Sequence, residues 1–142
     1  MMTLDRRQFM ELTVGATLLC TGFGCASMVT HRVPLADGVV RLDLALYPDL
    51  AAAGGSLRVL PAGRDEPLYV LALDEGGYAA VSPICTHRGC TVEVQRAALV
   101  CPCHGSTYDR RGTVVEGPAE RDLQAYATRL GDDDVLLIRV EG

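Results

Sequence analysis

The chain has 142 residues, 49% of them apolar and 22% charged, a size that suits one domain and a short leader. Its formal charge is −5, and every basic residue is arginine. A mildly acidic chain without a basic stripe is not built to bind nucleic acid. Beyond the leader, no apolar run is long enough to span a membrane as a helix.

Residues 1–29 are predicted to be an export segment. Arg6-Arg7-Gln8-Phe9-Met10 resembles a twin-arginine signal, with Asp5 where Ser or Thr is commoner, and an uncharged run follows from Leu12 to Val29. A buried N-terminal helix is the competing reading. Three fates are open to the segment: cleavage after Ala26, lipidation at Cys25 (with Gly22 where such sites usually carry Leu), or retention as an anchor. The expected location is the bacterial periplasm, at the outer face of the cytoplasmic membrane. Membrane association would come through this segment or through a complex.

From Val33 onward the pattern is short strands and turns. Val39 to Leu44 alternates after Asp37-Gly38, and Ala51 to Gly55 is a small, flexible break. Ser56–Leu60, Leu68–Leu73 and Tyr78–Val81 are β-rich runs separated by Pro61-Ala62-Gly63 and Asp74-Glu75-Gly76-Gly77. Thr91–Val94 and Ala98–Val100 form a predicted hairpin. Arg110-Arg111-Gly112 reads as a turn before Thr113–Val115. Leu123–Leu130 and Val135–Val140 form a closing hairpin across Gly131 to Asp134. Apart from a short turn near Tyr47–Ala53, no helix is expected past the leader. The predicted fold class is all-β: an antiparallel sandwich base over residues 33–142, carrying a small subdomain near residues 82–119.

Two cysteine- and histidine-rich boxes carry the chemistry. The first is Cys85-Thr86-His87-Arg88-Gly89-Cys90; the second is Cys101-Pro102-Cys103-His104-Gly105-Ser106-Thr107-Tyr108. Zinc and iron both accept thiolate and imidazole, so the ligand types alone leave the metal open. A structural zinc site usually draws its cysteines from one knuckle and its histidines from another. Here each box brings one Cys-and-His pair, which suits a [2Fe–2S] cluster with two thiolates on one iron and two imidazoles on the other.

The boxes resemble those of Rieske iron–sulfur proteins, specifically the disulfide-containing type of quinol-oxidising cytochrome bc complexes. The first matches C-T-H-x-G-C and the second C-P-C-H-G-S. The resemblance implies one [2Fe–2S] cluster, with Cys85 and Cys101 on the buried iron and His87 and His104 on the outer iron. It implies a Cys90–Cys103 disulfide, which would place the mature domain in an oxidising compartment. Ser106 and Tyr108 would be hydroxyl donors to a bridging sulfide and a ligand thiolate. Gly117-Pro118-Ala119 would cover the cluster from a third side. Arg88 stands where quinol-oxidising members usually carry Leu at the docking tip, a difference that bears on the partner.

The ligand set sets the redox chemistry. Two ferric ions, two sulfides and two thiolates sum to zero charge, whereas four thiolates would leave minus two. The less negative cluster accepts an electron more readily, so Rieske centres span about −150 to +300 mV, against about −400 mV for plant-type ferredoxins. His87 and His104 are also candidates for proton-coupled electron transfer. A ferric ion draws charge from a bound imidazole and makes its free N–H the better proton donor. An oxygenase would need a second iron on two histidines and a carboxylate. The chain has three histidines, and the cluster would leave only His31; no catalytic domain is expected after Gly142. The expected function is electron transfer as the iron–sulfur subunit of a quinol-oxidising complex, with quinol and cytochrome b/c-type partners. The alternatives are a stand-alone exported carrier, the small subunit of another oxidoreductase of arsenite-oxidase type, and a structural zinc module.

Overall fold

The computed structural model describes residues 28–141. The expectations for the export segment lie outside these residues, apart from its last two positions. Among the described residues no helix is long and apolar enough to cross a membrane.

The described residues are all-β, with two hydrogen-bonded sheets. The large sheet contains β1 (Thr30–Val33), β2 (Leu35–Ala36), β3 (Val39–Asp43), β4 (Ser56–Pro61), β5 (Leu68–Ala72), β6 (Tyr78–Val81), β11 (Ala125–Leu130) and β12 (Val135–Arg139). Its order is β1-β4-β5-β6-β11-β12-β3-β2. The small sheet runs β10-β9-β8-β7, from β7 (Glu93–Val94), β8 (Leu99–Val100), β9 (Thr107–Tyr108) and β10 (Val114–Glu116). All pairings are antiparallel except β1 with β4. The expected turn near Tyr47 is two single turns of 3-10 helix, Leu44–Leu46 and Pro48–Leu50.

The large sheet curls, so that β1 also touches β3. Its inner faces enclose a core of Val33, Val40, Leu42, Leu57, Val59, Leu68, Val70, Ala80, Leu136 and Ile138. β4 and β12 alternate buried and part-exposed residues, as strands with one wet face must. β5 does not alternate: Leu68-Tyr69-Val70-Leu71-Ala72 is buried throughout. The reason is a second core on its other face. Leu68 and Val70 point into the first core, whereas Tyr69 and Leu71 pack with Val81, Cys85, Val92, Leu99, Cys101, Tyr108, Ala119 and Leu123. The second core joins the small sheet to the large one and contains both box-opening cysteines.

Candidate metal centre

The two boxes fold into the same local shape. The Cys85 N–H donates to the Cys90 carbonyl at 2.8 Å, and the Cys101 N–H donates to the Ser106 carbonyl at 2.8 Å. Within each loop the glycine four residues after the cysteine bonds back to it: Gly89 N–H to Cys85 and Gly105 N–H to Cys101, both at 2.9 Å. Closing these loops requires left-handed backbone at Gly89 (φ +78°) and Gly105 (φ +80°), where a side chain would be strained. An isolated bridge between Ile84 and Thr91 closes the base of the first loop. β8 and β9 form the arms of the second.

A disulfide joins Cys90 to Cys103 and ties the loops together. Closing a loop of this size typically stabilises by about 3 kcal/mol. Denaturant unfolding of Cys90→Ala/Cys103→Ala is therefore expected to show a loss of about 2–4 kcal/mol. A double variant as stable as the parent would contradict this.

Cys85 and Cys101 remain free thiols, 2% and 1% exposed. The imidazoles of His87 and His104 lie against each other, with ring centroids 4.8 Å apart and planes nearly perpendicular. His104 is exposed and His87 half-buried. His87 Nδ1 is buried without a hydrogen-bond partner among the described residues. Buried polar atoms are rarely left so, and an unpartnered, buried ring nitrogen in the same loop as a buried thiol suits a metal ligand. Cys90, Cys101 and Cys103 sulfurs also lie within 4.8 Å of one another. Two of these are spent in the disulfide, so that trio is no zinc site.

Hydroxyl groups surround Cys85. Burial acts against its thiolate, but bonds from Tyr108, the His87 backbone N–H, Cys101 and Ser106 outweigh burial and hold the thiol below its ordinary pKa. The Tyr108 oxygen lies 3.3 Å from Cys85 Sγ. Burial first, and then the bond to Cys85, push the Tyr108 phenol up. Ser106 is fully buried, and its Oγ accepts the Ala119 N–H at 3.0 Å. That bond leaves the serine proton free for another acceptor and pins the Gly117-Pro118-Ala119 segment against the second box.

Residues 50–127 match the Rieske [2Fe-2S] domain family. The chain belongs to this family. Its cofactor is one [2Fe–2S] cluster, and it is an iron–sulfur electron carrier homologous to cytochrome b6-f iron–sulfur subunits. It is 33% identical to the cytochrome b6-f complex iron–sulfur subunit of Synechococcus elongatus, over 94% of this chain and 83% of that one. It is 41% identical to the corresponding subunit of Prochlorococcus marinus subsp. pastoris, over 95% and 85%. Among solved structures it resembles the cyanobacterial plasma membrane Rieske protein PetC3 from Synechocystis PCC 6803. That match has a TM-score of 0.55 and 37% identity, covering 65% of this chain and 92% of the other.

Two residues that build this Rieske site were not read from the sequence. The Tyr69 hydroxyl, on β5, donates to the Val92 carbonyl at 3.0 Å and ties the large sheet to the first box. Arg110, read only as part of a turn, is 6% exposed. Its guanidinium donates to the carbonyls of Ala72 (3.2 Å), Gln95 (3.2 Å), Arg96 (3.1 Å) and Gly55. Nothing in an Arg-Arg-Gly run tells which arginine turns inward.

Proposed function

We propose that the chain is the iron–sulfur subunit of a quinol-oxidising complex and passes electrons to a cytochrome. Cys85 and Cys101 would hold the inner iron, and His87 and His104 the outer one. When bound, the cluster supplies a one-electron couple in the Rieske range. The observation that carries this reading is the polarity of the site: both cysteines are in the core, while His104 is at the surface. A partner's donor therefore meets imidazole first. With the buried Nδ1 of His87 on iron, its Nε2 would be the atom left to meet a quinol hydroxyl. The relatives are subunits of cytochrome b6-f complexes, which supports cytochrome and quinol partners.

Deleting the gene is expected to abolish quinol-dependent cytochrome c reduction by isolated membranes, and re-expressing the chain to restore it. Unchanged reduction in the deletion strain would refute the assignment. The second reading, a separate exported carrier, is favoured by Arg88: a charged, exposed residue at the tip where Leu usually docks. For location, we propose twin-arginine export to the outer face of the cytoplasmic membrane. Arg6→Lys/Arg7→Lys should then leave the protein in the cytoplasm, and normal export of that variant would refute the route.

Ser106 and Tyr108 are assigned as donors to cluster sulfur. Each bond strengthens as the sulfur gains charge, so Ser106→Ala and Tyr108→Phe should both lower the reduction potential. A differential bond of about 1 kcal/mol corresponds to roughly 40 mV for a one-electron couple. Voltammetry with no downward shift would reduce both residues to packing.

His87 and His104 are assigned as the proton-coupled pair. The oxidised state gives up an imidazole proton more readily, so reduction takes up a proton at alkaline pH. The potential is then flat at low pH and falls as pH rises. A potential independent of pH up to strongly alkaline conditions, with the cluster intact, would remove this assignment.

A further inference from the structure

Tyr108 has one hydroxyl proton and two acceptors within reach. Its oxygen lies 3.3 Å from Cys85 Sγ and 3.1 Å from Thr86 Oγ1. Thr86 also has a single hydroxyl proton, and the Arg121 carbonyl takes it at 2.6 Å. A carbonyl only accepts, so Thr86 Oγ1 meets Tyr108 with a lone pair. The Thr86 backbone N–H, 3.2 Å from the phenol oxygen, donates to that oxygen and fixes its position. The phenol is held still while its proton has a choice between a neutral oxygen and a sulfur.

We propose that Thr86 is a positioning residue that sets the reduction potential by competing with Cys85 for the Tyr108 proton. The proposal rests on Cys85 being a cluster ligand. Charge on the acceptor decides the competition, because hydrogen bonds to a charged group are the stronger ones. In the oxidised protein the sulfur carries less negative charge, and Thr86 takes a share of the proton. One added electron raises the charge on sulfur, and the O–H turns toward Cys85. No bond to hydrogen breaks and no proton leaves; the hydroxyl rotates about its C–O bond. Thr86 therefore stabilises the oxidised state more than the reduced one. It holds the potential below the value that Tyr108 alone would give, opposite in sign to the effect of Tyr108 itself. The bond to Arg121 strengthens this, since an oxygen that donates is the better acceptor.

The test is voltammetry of the cluster-loaded protein. Thr86→Val and Thr86→Ala should shift the midpoint potential upward, and Thr86→Ser, which keeps the oxygen, should leave it near the parent value. In a Tyr108→Phe background the shift from Thr86→Val should vanish, because no proton remains to compete for. A downward shift, or an upward shift of the same size in the Tyr108→Phe background, would overturn the proposal in favour of packing. If neither apolar variant holds iron, the unmodified protein still decides. In redox-difference infrared spectra with isotope-labelled tyrosine, the C–O stretch of Tyr108 should move on reduction, and an unmoved band would overturn the proposal. A Cys85→Ser protein that kept the native EPR signal would overturn the ligand assignment and this proposal together. Loss of that signal alongside no Thr86–Tyr108 coupling would overturn this proposal alone.

Discussion

Replacing any one of Cys85, His87, Cys101 or His104 is expected to leave the protein without its native cluster. Each side chain offers one ligand atom, and the loops around it are fixed by hydrogen bonds and a disulfide, so no neighbour can swing in to substitute. Cys90 and Cys103 are the nearest other sulfurs, and both are bonded to each other. Serine at position 85 or 101 would put a short, hard hydroxyl where iron needs a soft thiolate. Alanine at 87 or 104 would leave an iron with one imidazole. Iron content should fall to background and the EPR signal of the reduced protein should disappear. The base should survive, because its core of Val40, Val59, Val70 and Ile138 shares no residue with the boxes. Circular dichroism should therefore still report β structure. A variant with full iron and an unchanged spectrum would show that its residue is not a ligand.

The second large effect is expected at Arg110, outside the boxes. Its guanidinium joins the residue before β4 (Gly55), the end of β5 (Ala72) and the β7–β8 turn (Gln95 and Arg96). Burial lowers its pKa from the ordinary value, and Asp74 opposes that shift. The chain has placed a desolvated charge among carbonyls because four acceptors aligned on one planar fork offset its burial. Arg110→Met keeps much of the volume and removes every donor, leaving carbonyls such as Ala72 without a partner. The expected loss is about 3–5 kcal/mol, or a melting temperature lower by roughly 10–20 °C. Arg110→Lys, which keeps the charge but not the fork, should recover only part of it. Thermal denaturation of Arg110→Met within a degree or two of the parent would show that the clamp is dispensable.

The contrast between Arg110 and the boxes shows what a sequence displays. The boxes are short, and their geometry is closed by residues within five positions of one another, so their spacing is visible along the chain. The hairpins were legible for the same reason: β11 and β12 flank the Gly131–Asp134 turn, and β7 and β8 face each other across a few residues. β1 was not foreseen. Thr30–Val33 pairs parallel with β4, and a parallel partner is separated by a long connection that leaves no local mark. β9 was hidden because Thr107 and Tyr108 read as the tail of a motif. Tyr69 looked like any apolar strand residue, since its hydroxyl partner, Val92, lies on a different sheet's approach. The Arg110 clamp needed the positions of four carbonyl groups on three remote segments, and no periodicity encodes those.

The closeness of Cys101 to the disulfide bears on what happens when the mature molecule loses its iron. Its sulfur lies within 4.8 Å of those of Cys90 and Cys103. A thiolate so near a disulfide is an attacking group, and exchange would trade the Cys90–Cys103 bridge for one that consumes Cys101. Iron bound to Cys101 would block that attack, so the cofactor would act as a protecting group for the covalent clasp beside it. The bridge and the cluster would then depend on each other: the bridge holds the two loops, and iron keeps Cys101 from the bridge. Loss of iron from the finished protein becomes a one-way event, since the vacated thiol is free to scramble the bridge. Protein stripped with a chelator at alkaline pH and mapped by mass spectrometry should accumulate Cys101-containing disulfides and fail to take the cluster back until fully reduced. A stripped sample that kept only the Cys90–Cys103 pairing would show that the bridge needs no such protection.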